Sequence, residues 1–208
     1  MLSFDVATTF FLASCLLALT PGPDNLFVLA QSALQGAAAG LLVMLGLCSG
    51  LVVHSLAVAL GAAAIFQSSA LAFFILKLCG AGYLLYLAFV LFTARAQASV
   101  YGDMARLGAG VLYRRGIIMN LTNPKVSIFF LAFLPQFADP ARGSMVLQML
   151  ALGALFILAT LCVFGAIALL AGRLRGCFSG GAGFHGLLAR LSGLVFVGLA
   201  IRLVMTER

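Results

Sequence analysis

Two short polar segments interrupt otherwise apolar stretches of the chain: Leu19-Thr20-Pro21-Gly22-Pro23-Asp24-Asn25 and Asn120-Leu121-Thr122-Asn123-Pro124-Lys125. Each sets an ionisable side chain directly after a proline, Asp24 after Pro23 and Lys125 after Pro124. A charge at the centre of a membrane helix costs roughly 2.5–3.5 kcal/mol on insertion scales, so each demands a partner or a purpose. One acid and one base at a shared depth suit a zwitterion. In that reading Asp24 faces an ammonium or carries a coupling proton, and Lys125 with the adjacent half-helix amides receives a carboxylate. A second reading makes Asp24 or Asn25 the cap of a broken helix, with Lys125 as structural counter-ion. The two readings are compatible.

Thr20, Asn120, Thr122 and Asn123 can bond a ligand or the backbone groups that prolines leave unpaired. Taken singly, backbone satisfaction is the role that suits such residues best. As a set, with Asn25, they mark where water enters. Ser49 and His54 share an apolar stretch, but five residues apart on one helix they point about 140° from each other, which excludes a Ser-His dyad. His54 therefore reads as a packing histidine, with a proton relay as the lesser alternative. Gln31, Gln136, Tyr83 and Tyr86 read as helix-packing or interface residues, and Lys77 as a side chain that snorkels to the membrane surface. Cys15, Cys48, Cys79, Cys162 and Cys177 are far apart with no CxxC pair. They read as small buried hydrophobes, and no metal or cofactor is implied.

The elements that position these residues must be membrane helices. The 208 residues are 64% hydrophobic and 8% charged, against roughly 45–50% and about 25% in soluble domains. Apolar stretches long enough to cross about 30 Å of hydrocarbon recur throughout. They predict six spans: Phe4 to Leu34 with a break, Gly40 to Phe66, Ala70 to Ala94, Arg115 to Phe137, Met145 to Ala171 and Leu187 to Val204. The first lacks a basic leader and a small-residue cleavage site, so it is expected to be retained. Proline lacks the amide donor and crowds the preceding turn, so Pro21, Gly22 and Pro23 should break the first helix and Pro124 the fourth. Irregular backbone at that depth is tolerated only where it lines a cavity or is covered by protein.

Pro23-Asp24 and Pro124-Lys125 match at an offset of 101 residues. Three spans separate the copies, and an odd number inverts the second half in the membrane. Paired broken helices in inverted repeats point to a transporter's central site. The expected architecture is thus all-α, a single domain over residues 1–208, with repeats at about 1–95 and 113–208. Gly36xxxGly40 and Gly46xxxGly50 supply small residues one turn apart for close helix packing. They read mainly as intramolecular positions, and a homo-oligomer is neither required nor excluded.

The net charge of +7 is scattered between apolar stretches, which argues for orientation in a membrane rather than for nucleic acid. Arg95, Arg106, Arg114, Arg115, Arg173 and Arg175 fall on one side, and Arg142, Arg202 and Arg208 on the other. The excess stays cytoplasmic, which places both termini outside.

Leu19-Thr20-Pro21-Gly22-Pro23, the small-residue second span and Asn120-Leu121-Thr122-Asn123-Pro124-Lys125 together resemble the lysine exporter and homoserine/threonine exporter (LysE/RhtB) family. The resemblance covers essentially the whole chain. It implies amino-acid efflux across a bacterial inner membrane, driven by the proton gradient. The rival readings are a different small solute or a metal cation, an intramembrane enzyme, and a structural subunit. Repeated acidic motifs suited to a hard cation are absent, no nucleophile or metal cluster is spaced for catalysis, and a scaffold has no use for Pro, Asp, Asn and Lys in mid-span. One acid and one base favour a neutral amino acid over lysine.

Overall fold

The computed structural model describes residues 2–20, 22–68 and 106–173, together with positions 74, 75, 78, 81, 82, 85, 86, 88, 89, 194, 197, 198, 200 and 201. Helix α1 (Phe4–Leu19) stops at Thr20, whose amide returns to the carbonyls of Leu16 and Leu17. Helix α2 (Pro23–Gln35) restarts with proline in its first turn, where a missing amide costs nothing. It ends at Gly36, whose φ of 97° makes the turn into α3 (Ala37–Ser68). The second broken element repeats the plan. Helix α4 (Ala109–Thr122) ends at Asn123, and α5 (Pro124–Ile128) starts again on a proline. It continues as a π-helical turn, Phe129–Phe133, and a 3-10 turn, Leu134–Phe137. A short 3-10 turn at Pro140–Arg142 leads to α6 (Met145–Arg173).

Residues Ala37–Gly61 of α3 and the whole of α6 are each long and apolar enough to cross a membrane alone. The pairs α1 with α2, bent by 64°, and α4 with Pro124–Phe137, bent by 50°, qualify as broken spans. The protein is therefore an all-α membrane protein with the two interruptions where the prolines place them. Of the expected third and sixth spans, positions 74, 75, 78, 81, 82, 85, 86, 88, 89 and 194, 197, 198, 200, 201 are helical. The remaining residues of those spans lie outside the described residues, with Pro21, Lys77, Cys79, Tyr83, Cys177 and the loops 95–105 and 174–186.

Helix directions follow from the contacts. Ser49 bonds Tyr113 at 2.8 Å and His54 meets the Asn120 carbonyl at 3.3 Å, so α3 and α4 run parallel. Helices α3 and α6 run antiparallel, with Ser55 against Gly153 and Ala37 against Gly172. Segment α1 is antiparallel to the second broken element, since Lys125 reaches Leu17 and Thr20 while Phe10 packs on Phe137. The α3–α4 crossing is the tightest. A methyl added at Gly46 would overlap the Tyr113 carbonyl, and one at Gly116 the Val43 carbonyl, so the two backbones touch.

Helix α4 begins at Ala109, earlier than the hydropathy reading, which starts the span at Arg115. Arg114 and Arg115 are exposed on its first turns, and the Arg115 guanidinium lies 5.9 Å from the Phe27 ring centre. Long cationic side chains keep their heads at the surface while their stems lie along apolar walls, so a helix runs through charges that end a hydropathy window.

The buried apolar side chains form two cores. One gathers Phe10, Phe129, Phe130, Phe133 and Phe156 with neighbours from α1, α3 and α6. The other gathers Phe27, Val43, Leu47, Leu112 and Phe164. Thr20, Asp24, Asn25, Asn120, Asn123, Lys125 and Thr160 are among the buried polar side chains, and they form a polar layer in which Asp24, Asn120, Lys125 and Thr160 meet Leu17, Leu51, Val126 and Phe156 of the first core and Phe164 of the second.

Candidate functional site

Both helix breaks deliver their polar residues to this layer. Asp24, in the first turn of α2, is 2% exposed, and Lys125, in the first turn of α5, is 9% exposed. Their charged groups do not touch. Asn123 stands between: its amide donates to Asp24 Oδ2 at 2.8 Å, and its own Oδ1 accepts the Lys125 backbone N–H at 3.0 Å. Asn123 is thus the N-cap of α5. No side chain caps α2, whose N-cap is Gly22. The capping alternative for Asp24 and Asn25 therefore does not describe their side chains. The Asn25 amide instead donates back across the break to the Ala18 carbonyl at 2.5 Å.

Lys125 Nζ donates to the carbonyls of Thr20 at 3.2 Å and Leu17 at 3.4 Å at the end of α1, where the Leu17 carbonyl also accepts the Thr20 N–H at 3.2 Å. Gly22 lies beside the ammonium, and a methyl there would sit 3.3 Å from Nζ. The Asn120 carbonyl, freed at the end of α4, takes the Asn123 N–H at 3.1 Å and His54 Nε2 at 3.3 Å. His54 thus satisfies backbone at the break, in keeping with its packing role.

Three buried oxygens in this layer have no partner: Asp24 Oδ1, Asn25 Oδ1 and Asn120 Oδ1. A buried acceptor without a donor costs about 1–3 kcal/mol, so each of the three is a place where a ligand or water would be bound favourably. Asp24, Asn120 and Lys125 line a cavity of about 20 Å³ together with Leu17, Ala18, Leu51, Val126 and, from α6, Phe156, Thr160 and Phe164. That volume holds about one water molecule.

Of the residues singled out in the sequence, the structure brings Asp24, Asn120 and Lys125 to one cavity. Asn123, Asn25 and Thr20 support it through hydrogen bonds, with Thr20 Oγ1 returning to the Leu16 carbonyl at 2.9 Å. Thr122 is exposed and bonds the Ile118 carbonyl at 2.8 Å, away from the cavity. Pro23 and Pro124 begin the second halves of the broken helices, and Pro21 lies outside the described residues. Leu51 and the α6 residues Phe156, Thr160 and Phe164 line the cavity without having been singled out. Thr160 was the one with a signal, a hydroxyl in the middle of an apolar span.

Comparison with known proteins follows the same lines. The family described as LysE type translocator matches residues 15–207. A homoserine/homoserine lactone efflux protein of Salmonella typhimurium is 32% identical over 179 residues, 86% of this chain and 86% of that protein. A leucine efflux protein of the same organism is 31% identical over 132 residues, 63% of this chain and 62% of that protein. A membrane protein of Vibrio cholerae is 32% identical over 141 residues, 68% of this chain and 69% of its own. No solved structure matches the chain.

Proposed function

Since the chain belongs to the LysE type translocator family, we propose that it is a secondary exporter of neutral amino acids or close relatives across the bacterial inner membrane. Family membership makes it a translocator and not an enzyme. The observation that carries the substrate reading is the convergence of Asp24, Asn120 and Lys125 on one cavity, with two of its buried acceptor oxygens unpartnered. A substrate ammonium would take Asp24 Oδ1 and Asn120 Oδ1, and its carboxylate would meet the Lys125 ammonium. The rest of the wall is apolar apart from Thr160, which suits an uncharged side chain and offers a lysine side chain no second acid. The relatives named for homoserine, homoserine lactone and leucine fit that expectation.

A cavity the size of one water is too small for an amino acid, so loading requires the walls to separate. The inverted run of the two broken elements supplies a natural pivot, one half rocking against the other about the polar layer. We place the repeats at about residues 1–95 and 113–208, with a proton as the coupling ion. The exposed Val52, Val53, Leu56 and Leu60 of α3 suit lipid or a second copy equally. The deciding experiment is export of a panel of labelled amino acids from vesicles of known orientation. Movement of neutral amino acids against a gradient is expected, and movement of none of the panel would remove the substrate reading.

A further inference from the structure

Apart from the cavity lined by Asp24, Asn120 and Lys125, a second cavity lies toward the end of the molecule that carries Ser3 and Asp139. That outer cavity, about 200 Å³, is lined by residues including Ser3, Val6, Phe137, Asp139, Arg142 and Gln148. Between the two stands a ladder of rings. Phe156, in the wall of the inner cavity, lies 5.2 Å from Phe129; Phe129 lies 4.8 Å from Phe133; and Phe133 lies 5.0 Å from Phe137, in the wall of the outer one. Phe10 closes the ladder from α1, at 5.1 Å from Phe137 and 5.9 Å from Phe129. All five rings are buried.

The same three elements line every stage. On the second broken element, Lys125, Phe129, Phe133 and Phe137 recur every four residues, and the ring contacts set Phe129, Phe133 and Phe137 side by side. On α1, Leu17 and Ala18 face the inner cavity, Phe10 the ladder, and Ser3 and Val6 the outer cavity. On α6 the order is Thr160, Phe156, Gln148. We propose that this face is the half-pathway between substrate site and membrane surface, and that the Phe10, Phe129, Phe133, Phe137 and Phe156 cluster is its gate.

The hinge is written in the backbone. Phe129–Phe133 is π-helical and Leu134–Phe137 is 3-10, so the helix is underwound and then overwound within nine residues. Pro135 has no amide to donate and crowds the carbonyl four residues back, which prevents regular α geometry there. Such π turns in membrane helices carry loosened hydrogen bonding and occur often at functional sites. A rotation of this turn would withdraw Phe129 and Phe133 together.

The gate rests on the translocator reading, but its test needs no substrate. In a background with all five native cysteines replaced by alanine, Ala18→Cys reports the inner cavity and Val6→Cys the outer one. A membrane-impermeant thiol reagent is applied from the face bearing Ser3 and Asp139. With the rings intact, Val6→Cys should label readily and Ala18→Cys slowly. Adding Phe129→Ala and Phe133→Ala removes several ring pairs and should speed labelling at Ala18→Cys by roughly tenfold. If that protein does not accumulate in the membrane, Phe133→Leu, which keeps apolar volume but removes a ring, carries the same comparison. Three results would overturn the gate: equal labelling of Ala18→Cys and Val6→Cys with the rings intact, no acceleration when they are cut, or equal acceleration at Ala39→Cys in the other core. A gate that behaves as described in a protein that moves no amino acid would retire the substrate reading alone.

Discussion

Asp24 and Lys125 are held by different means, and the difference sets what each can do. The Lys125 ammonium is engaged by two carbonyls at the end of α1, while Asp24 has one oxygen engaged by Asn123 and one free. Burying a charge is expensive, so Asp24→Asn and Lys125→Met should insert at least as well as the native chain if the charges serve folding alone. We expect normal amounts of protein in the membrane with gradient-driven export reduced by more than ~10-fold for each, the loss of about one strong charge-assisted contact. Counterflow and proton-driven uptake measured on one vesicle preparation separate binding from coupling. Retained counterflow in Asp24→Asn with lost accumulation would assign it the coupling proton, and full transport by both variants would leave the pair as scaffolding. These two residues were legible in the sequence because a charge after a proline in an apolar stretch has few structural uses. Phe156, Thr160 and Phe164 were not. A threonine hydroxyl can return to the carbonyl four residues back, as Thr160 does to Phe156 at 2.9 Å, so its sequence carries no mark of a cavity. Whether an apolar ring faces lipid, core or pathway depends on tertiary neighbours that periodicity in a wholly apolar helix does not reveal.

At the scale of elements, both breaks were readable because proline acts locally and identically in any context. Their consequences were less so. The sequence reading offered Asp24 or Asn25 as a cap for the first broken helix, whereas the side-chain cap is Asn123 on α5, and the π turn at Phe129–Phe133 has no local signature beyond Pro135. The glycines around α3 and α4 also divide in a way that spacing alone does not give. Gly36 turns the chain into α3 with positive φ, Gly46 of α3 and Gly116 of α4 bring two backbones into contact, and Gly61 of α3 has no close neighbour among the described residues. Gly46→Val should therefore push α3 from α4, with a loss of about 1–3 kcal/mol, the usual cost of overpacking. Gly61→Ala adds a methyl where nothing among the described residues lies within 4 Å and removes backbone freedom from the unfolded chain, so it should be neutral or stabilising by up to ~1 kcal/mol. Thermal unfolding of the two detergent-solubilised variants reads the contrast. Equal stability would mean that the α3–α4 crossing is looser than its geometry.

At the scale of the whole molecule, direction is the property that links fold to export. Helices α3 and α4 run parallel and α3 and α6 antiparallel, and we propose that the two halves are related as inverted repeats. Among the described residues, Arg106, Arg114, Arg115 and Arg173 gather at the end where α4 begins and α6 finishes. The opposite end has Arg142, paired to Asp139 at 3.2 Å, with Asp5 on the first turn of α1. Because unpaired Lys and Arg in short loops are retained in the cytoplasm, the Arg106 end should face inward and the aromatic gate should close the pathway on the outer side. Single cysteines test this without relying on the sixth span. In intact cells an impermeant thiol reagent should label Arg142→Cys and spare Arg106→Cys, and a phosphatase fused after Arg208 should be active. Labelling of Arg106→Cys with protection of Arg142→Cys would turn the molecule over and make the gate an inner one. Labelling as expected with an inactive phosphatase, while a fluorescent protein at the same position folds in the cytoplasm, would keep the orientation and remove the sixth crossing. The cavity lined by Asp24, Asn120 and Lys125 is unaffected by either result, since its walls draw on both apolar cores whichever end is outside.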